Sequence, residues 1–279
     1  MQRSRQRLIW IAAKVIVFVA SGACAVAAVA PLWRSTDQFL PFAGDPRVRY
    51  EPGAENAAAV IARALPAALA TIGRAQFRPF AKPVTIYVCA STAAFDRYGF
   101  GVTGGGGFVL NGRLFISPKP QNTAERLPRV LTHELSHLHL EQQLGLFRFA
   151  LNVPNWFKEG LAVCVSGGGG AETVSETEAS DALAHGRAFH PEERGHLLFP
   201  QTGAREHLPA HLFYRESGLF VAFLARRDPA AFKRLVLAVE DRREFADAVR
   251  DAYERELAAL WREFVADAKP MRPLSSPPG

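Results

Sequence analysis

Three histidines and two glutamates fall within nine residues, 133–141, of the stretch LPRVLTHELSHLHLEQQLG (127–145). The apolar spacing of the stretch is helical, and each residue of a helix turns about 100°. With His133 at 0°, His137 lies at about 40° one turn further on, so both imidazoles leave the same stripe. Glu134 lies beside them at about 100°. This HExxH arrangement suits metal chemistry: two neutral imidazoles bind a zinc ion, and the glutamate between them reaches a water rather than the metal. Leu127, Leu131, Leu135 and Leu138 fall between about 120° and 200°, where they would anchor the helix in a core. Ser136 and His139, at about 300° and 240°, point away, which excludes His139 as a ligand. Glu141, at about 80°, reads as a solvated helix-end glutamate, with support of the histidines as the alternative.

Three fixed residues at this spacing arise by chance in roughly one or two chains in a hundred of this length, so a site needs a third ligand. Glu159 is the candidate, 22 residues after His137 in VPNWFKEGLAVCVSGG. Its neighbours Trp156, Phe157, Leu161 and Ala162 are apolar, and an acidic residue in such a setting usually has a partner. A surface glutamate is the plainer alternative for Glu159 alone. Gly160 would allow a close helix–helix approach, and LGLFRFALNVP is long enough to turn the chain back. Two histidines and one carboxylate make a catalytic rather than a closed structural set.

The elements that must position these residues read as follows. Residues 34–53 are rich in proline and glycine and read as a linker. Residues 54–72 are helical, with apolar positions at 60, 61, 65, 69 and 72, and Pro66 should kink or split them. KPVTIYVCAS is a strand, TAAFDRYG a short helix or turn, and GGGGFVLNGRLFISP a hairpin about Asn111-Gly112. Glycines 104–107 read as a flexible loop; no Lys-Ser/Thr follows, so they are not a phosphate loop. From residue 123 the chain is helical except at 166–206, a Gly-rich then polar segment that is either a mobile flap or a surface excursion. Asp228-Pro229 starts one late helix. Residues 270–279 read as a disordered tail, and no internal repeat is present.

HELSH followed by NWFKEGLA (155–162) resembles the gluzincin metallopeptidases, specifically the small bacterial peptidase MA-like proteins, in which HExxH precedes a Trp-x-x-Glu-Gly-x-Ala helix. The resemblance runs from about Val84 to Ala268. It implies an α+β fold, with a small mixed sheet carrying a β-hairpin edge, then a mostly helical zincin-type (gluzincin) domain. The active-site helix lies between these parts, and the domain spans 54–269. One zinc (Zn2+) per chain is implied, held by His133, His137 and Glu159, with Glu134 as catalytic base. A Tyr or His from the helix after the second motif, Tyr214 or His211 here, would steady the oxyanion. The strand before the HExxH helix, RLFISP (113–118), would be a sheet edge that takes an extended peptide or protein substrate by β-addition; an ordinary edge strand is the alternative. The expected function is a zinc-dependent peptidase. The alternative is a catalytically inactive peptidase-fold binding module of the cell envelope.

Net charge is +6, but Arg3, Arg5, Arg7 and Lys14 lie in the first 33 residues, which hold no acidic residue. The rest holds 29 basic and 27 acidic residues, so nucleic acid is not an expected partner. The basic cluster precedes a long apolar segment from Leu8 to Trp33 whose only charge is Lys14. Residues 1–33 therefore read as a membrane anchor, a single-pass N-terminal membrane helix in the inner membrane with 34–279 outside. A cleaved signal that releases a secreted protein is the alternative, and a lipoprotein signal at Cys24 a third. Cys89 and Cys164 read as buried thiols, with a disulfide as the alternative in an exported protein.

Overall fold

A computed structural model describes residues 30–99, 105–119, 123–197 and 199–268. Alternating β-branched and aromatic residues build the centre of a mixed five-stranded sheet. Its strands are β1 (Leu40–Phe42), β2 (Asp45–Tyr50), β3 (Ile86–Val88), β4 (Gly107–Leu110) and β5 (Arg113–Ile116), in the spatial order β1-β2-β3-β5-β4. β2, β3 and β5 run parallel, and β1 and β4 pair antiparallel at the two edges. Helix α1 (Glu55–Ala75) precedes β3, α2 (Thr92–Tyr98) follows it, and α3 (Leu127–Leu144) carries HELSH. The strands' period of two sorts their side chains. Ile86, Val88, Leu114 and Ile116 join a core with α1 and α3. Phe115 turns to the other face, where it stacks on Tyr87, Tyr98 and Phe108 beside α2. Asn111 and Gly112 have φ of 51° and 73°, which two-residue hairpin turns require.

Several expectations need correction. Residues 34–53 are not a linker: they contain β1 and β2, and Val48 is fully buried. Their prolines fall where a sheet tolerates them, Pro41 on an edge strand and Pro46 ahead of the segment paired with β3. Pro66 does not split α1, which runs through it with Ala58, Ile61, Leu65, Ala68 and Ile72 on its buried face and Pro66 exposed. RLFISP is not the sheet edge either. β5 is interior, and β4, residues 107–110, is the outer strand. Among the described residues, α1 is the one helix long and apolar enough to cross a membrane, and here its apolar face packs on the sheet.

The remaining helices are α4 (Leu146–Leu151), α5 (Asn155–Val165), α6 (Glu176–Ala184), α7 (Ala210–Arg227), α8 (Pro229–Glu240), α9 (Phe245–Tyr253) and α10 (Leu257–Ala268). They share a second core around Trp156, Phe157, Phe189, Phe213, Phe220 and Phe245. Asp228 caps α8 through the Ala231 amide, with Pro229 in the first turn. The segment 166–206 is an integral part of this body rather than a flap. Its α6 starts on a reciprocal Ser175–Glu178 capping box, and its Phe189 is buried against Trp156, Phe213 and Trp261. Its polar residues make caps and turns, so composition alone concealed the packing. Cys89 is buried, Cys164 is exposed, and both are free. The anchor segment up to residue 29, Cys24 and the tail 270–279 lie outside the described residues.

Candidate metal centre

Helix α3 brings His133 and His137 to one stripe, and α5 brings Glu159 across from them. His133 Nε2 lies 3.3 Å from Glu159 Oε2, and His137 Nε2 lies 3.5 Å from the same oxygen. The two Nε2 atoms are 3.2 Å apart. Three donor atoms thus converge on one point, a set that could hold a metal ion. His133 Nδ1 donates to the Gly169 carbonyl at 2.8 Å. A carbonyl only accepts, so this bond places the proton on Nδ1 and turns the Nε2 lone pair to the centre. Burial opposes a charged His133, but Glu159 and Glu134 outweigh it and lift its pKa to about 9. Burial likewise opposes a charged Glu159, yet the two histidines hold its carboxyl well below the usual carboxylate range. The three groups therefore favour positive charge between them, which a divalent ion would supply in place of a proton.

Close backbone packing sets these positions. α5 meets α7 at Gly160, where a Cβ would collide with the Ser217 carbonyl. A Cβ at Gly170 would stand 2.7 Å from His133 Cε1, and Gly170 also has φ of +86°. A Cβ at Gly107, on edge strand β4, would stand 2.7 Å from Glu134 Cγ. Glu134 is buried beside the triad. That burial raises its carboxyl above the ordinary range, while His133 and His137 pull the other way.

These groups line a cleft of about 620 Å³, which also takes in Gly105–Val109, Phe149, Asn155, Lys158, Tyr214 and His211. The Tyr214 hydroxyl is driven far above its usual range by the Glu159 carboxylate, by burial and by Glu134, so it stays protonated. His211 Nδ1 is 2.6 Å from Thr173 Oγ1, which ties it to the loop after Gly170. At the N-terminal end of α3, Arg126 pairs with Glu172 at 3.1 Å. Lys158 is buried, and its Nζ stands 4.7 Å over the Phe149 ring. Burial pulls its pKa down to about 8 against the opposing Glu159 charge, so the ammonium is still the major form at neutral pH.

His133, Glu134, His137, Glu159 and Tyr214 are therefore gathered in one cleft, and His139 is elsewhere. His139 donates Nε2–H to the Arg78 carbonyl at 3.0 Å, edge-on to Phe80. Glu141 corrects the expectation of a solvated residue. It is buried and accepts from the Gly112 amide, which pins the hairpin turn to α3. Sequence reasoning missed Lys158, Glu172 and the Gly169 carbonyl. The run SGGGG at 166–170 was the available signal for the last, since positive φ at Gly167, Gly168 and Gly170 marks a backbone folded tightly against something. In comparisons with known proteins, no family model and no curated protein matches this chain.

Proposed function

We propose that the chain is a zinc-dependent peptidase of the gluzincin type, carried on the membrane by the apolar segment that precedes Ala30 and acting outside the cytoplasm. The observation that carries the reading is the convergence of His133, His137 and Glu159 beside Glu134. Zinc bonds of about 2.0–2.2 Å to nitrogen and oxygen set tetrahedral ligand atoms about 3.3–3.6 Å apart. The spacings here are 3.2, 3.3 and 3.5 Å. Two imidazoles and one carboxylate with no cysteine are the donors of an open catalytic site. Bound there, zinc would supply Lewis acidity toward a water and a peptide carbonyl.

The chain's own residues would do the rest. Glu134 takes a proton from the attacking water as its oxygen bonds to the carbonyl carbon, and passes the proton to the amine as the C–N bond breaks. Tyr214, held protonated, donates to the developing oxyanion. Edge strand β4 offers its free side to an extended substrate, the role expected above of residues 113–118. The test is cleavage of a broad peptide library by the full chain and by Glu134→Gln. The expected result is cleavage by the wild type, a fall of about 10²–10⁴ in the variant, and the same zinc content in both. Zinc content retained with the library untouched by the wild type would instead favour the binding module.

A further inference from the structure

Lys158 is a buried charged side chain with no ion-pair partner in contact; the neighbouring Glu159 carboxylate acts on it only through space. Its relative exposure is 7%. Its Nζ makes one long hydrogen bond, 3.4 Å to the Phe149 carbonyl, and lies over the Phe149 ring. Among the described residues, which include every aspartate and glutamate of the chain, none forms an ion pair with it within 4.0 Å. A buried cation without an anion is costly, and buried charges are ordinarily paired. The cleft's other cation is neutralised: Arg126 has Glu172. The two ends of the cleft therefore differ. Toward the N-terminal end of α3 the cation is paired. Toward the His137 end, where Phe149 contacts both His137 and Lys158, it is not.

We infer that Lys158 recognises a carboxylate of the substrate, so that the preferred substrates are peptides presenting a carboxylate at the His137 end of the cleft. The inference rests on the peptidase reading of this site and adds the substrate class. A single ammonium with no guanidinium fork beside it matches a monoanionic carboxylate better than a phosphate. The Phe149 ring and the stem of Lys158 exclude water around the pair, which makes each charge-assisted hydrogen bond stronger than at a surface. The carboxylate has two sources, a peptide C-terminus or an acidic side chain.

The experiment uses the zinc-loaded full chain in detergent and matched peptide pairs. One arm compares free C-terminal acids with amides, the other Asp and Glu with Asn and Gln at each position. Wild type is expected to favour one arm's carboxylate members at least tenfold in kcat/KM, through KM. Lys158→Met should erase that preference, read as the acid-to-neutral ratio of kcat/KM within each pair, and Lys158→Arg should restore part of it. Wild-type indifference to the carboxylate in both arms, or a preference that survives Lys158→Met, would overturn the inference. Calorimetric binding of the same pairs to Glu134→Gln separates this claim from catalysis. Tighter binding of the acids, lost when Lys158→Met is added, upholds it even if nothing is cleaved. Equal binding of both members overturns it even if cleavage is fast.

Discussion

His133 uses its two ring nitrogens for different tasks. Nδ1 is fixed by the Gly169 carbonyl at 2.8 Å, and that bond points Nε2 at Glu159. Gly170→Ala should therefore act on the metal: the added methyl meets the imidazole at a backbone angle that disfavours a side chain. We expect zinc affinity to fall about 10–100-fold, the usual cost of disturbing a ligand's support, as measured by competition with a chelator. Tyr214→Phe should leave zinc bound and lower kcat by about 10²–10³ with little change in KM, as expected for an oxyanion donor. An unchanged kcat would remove Tyr214 from the chemistry. His133, Glu134 and His137 were legible because a helix of period 3.6 stacks residues four apart. Lys158 was not, because its burial without an ion-pair contact is a fact of three dimensions.

At the scale of elements, edge strand β4 and helix α3 meet at Gly107 and Glu134. Gly107→Val should push Glu134 from its place, since a Cβ there also falls 2.9 Å from the Phe115 carbonyl. We expect normal zinc content and a loss of hydrolysis similar to that of Glu134→Gln; full activity would show that the strand does not position the base. The hairpin itself was legible from Asn111-Gly112, whose turn preference is local. Which of its strands formed the edge was not, because strand order depends on the long connection from β3 through α2. The same holds for β1 and β2, short strands rich in turn formers, of which β2 pairs with β3 and β1 with β2. The helices were legible wherever an apolar stripe persisted, and α6 was missed because only Ala179, Ala182 and Leu183 anchor it.

For the molecule as a whole, residues 31–34 are held by the sheet. Arg113 donates to the carbonyls of Pro31, Leu32 and Arg34, each at 2.7 Å, and the Asn111 side chain donates to Leu32 at 3.0 Å. A chain begun at residue 35 should be less stable to urea than one begun at residue 30 by roughly 1–3 kcal/mol, because these donors lose their acceptors. Stability should also depend on pH through Glu216, which is fully buried beside the Phe189 amide. Burial raises its carboxyl from 4.5 to about 8, so the folded chain keeps a proton that the unfolded chain releases. Its contribution is complete below about pH 4.5 and is lost as pH rises through about 8. Glu216→Gln should reduce the fall in urea stability between about pH 4.5 and 8. The central claim, that His133, His137 and Glu159 hold the ion on which peptide hydrolysis depends, is met most directly by titrating zinc into the chelator-treated full chain while following cleavage of the library. The account predicts no cleavage without metal and full recovery at about one zinc per chain. Cleavage that persists in the metal-free chain, or none after zinc is restored, would contradict it.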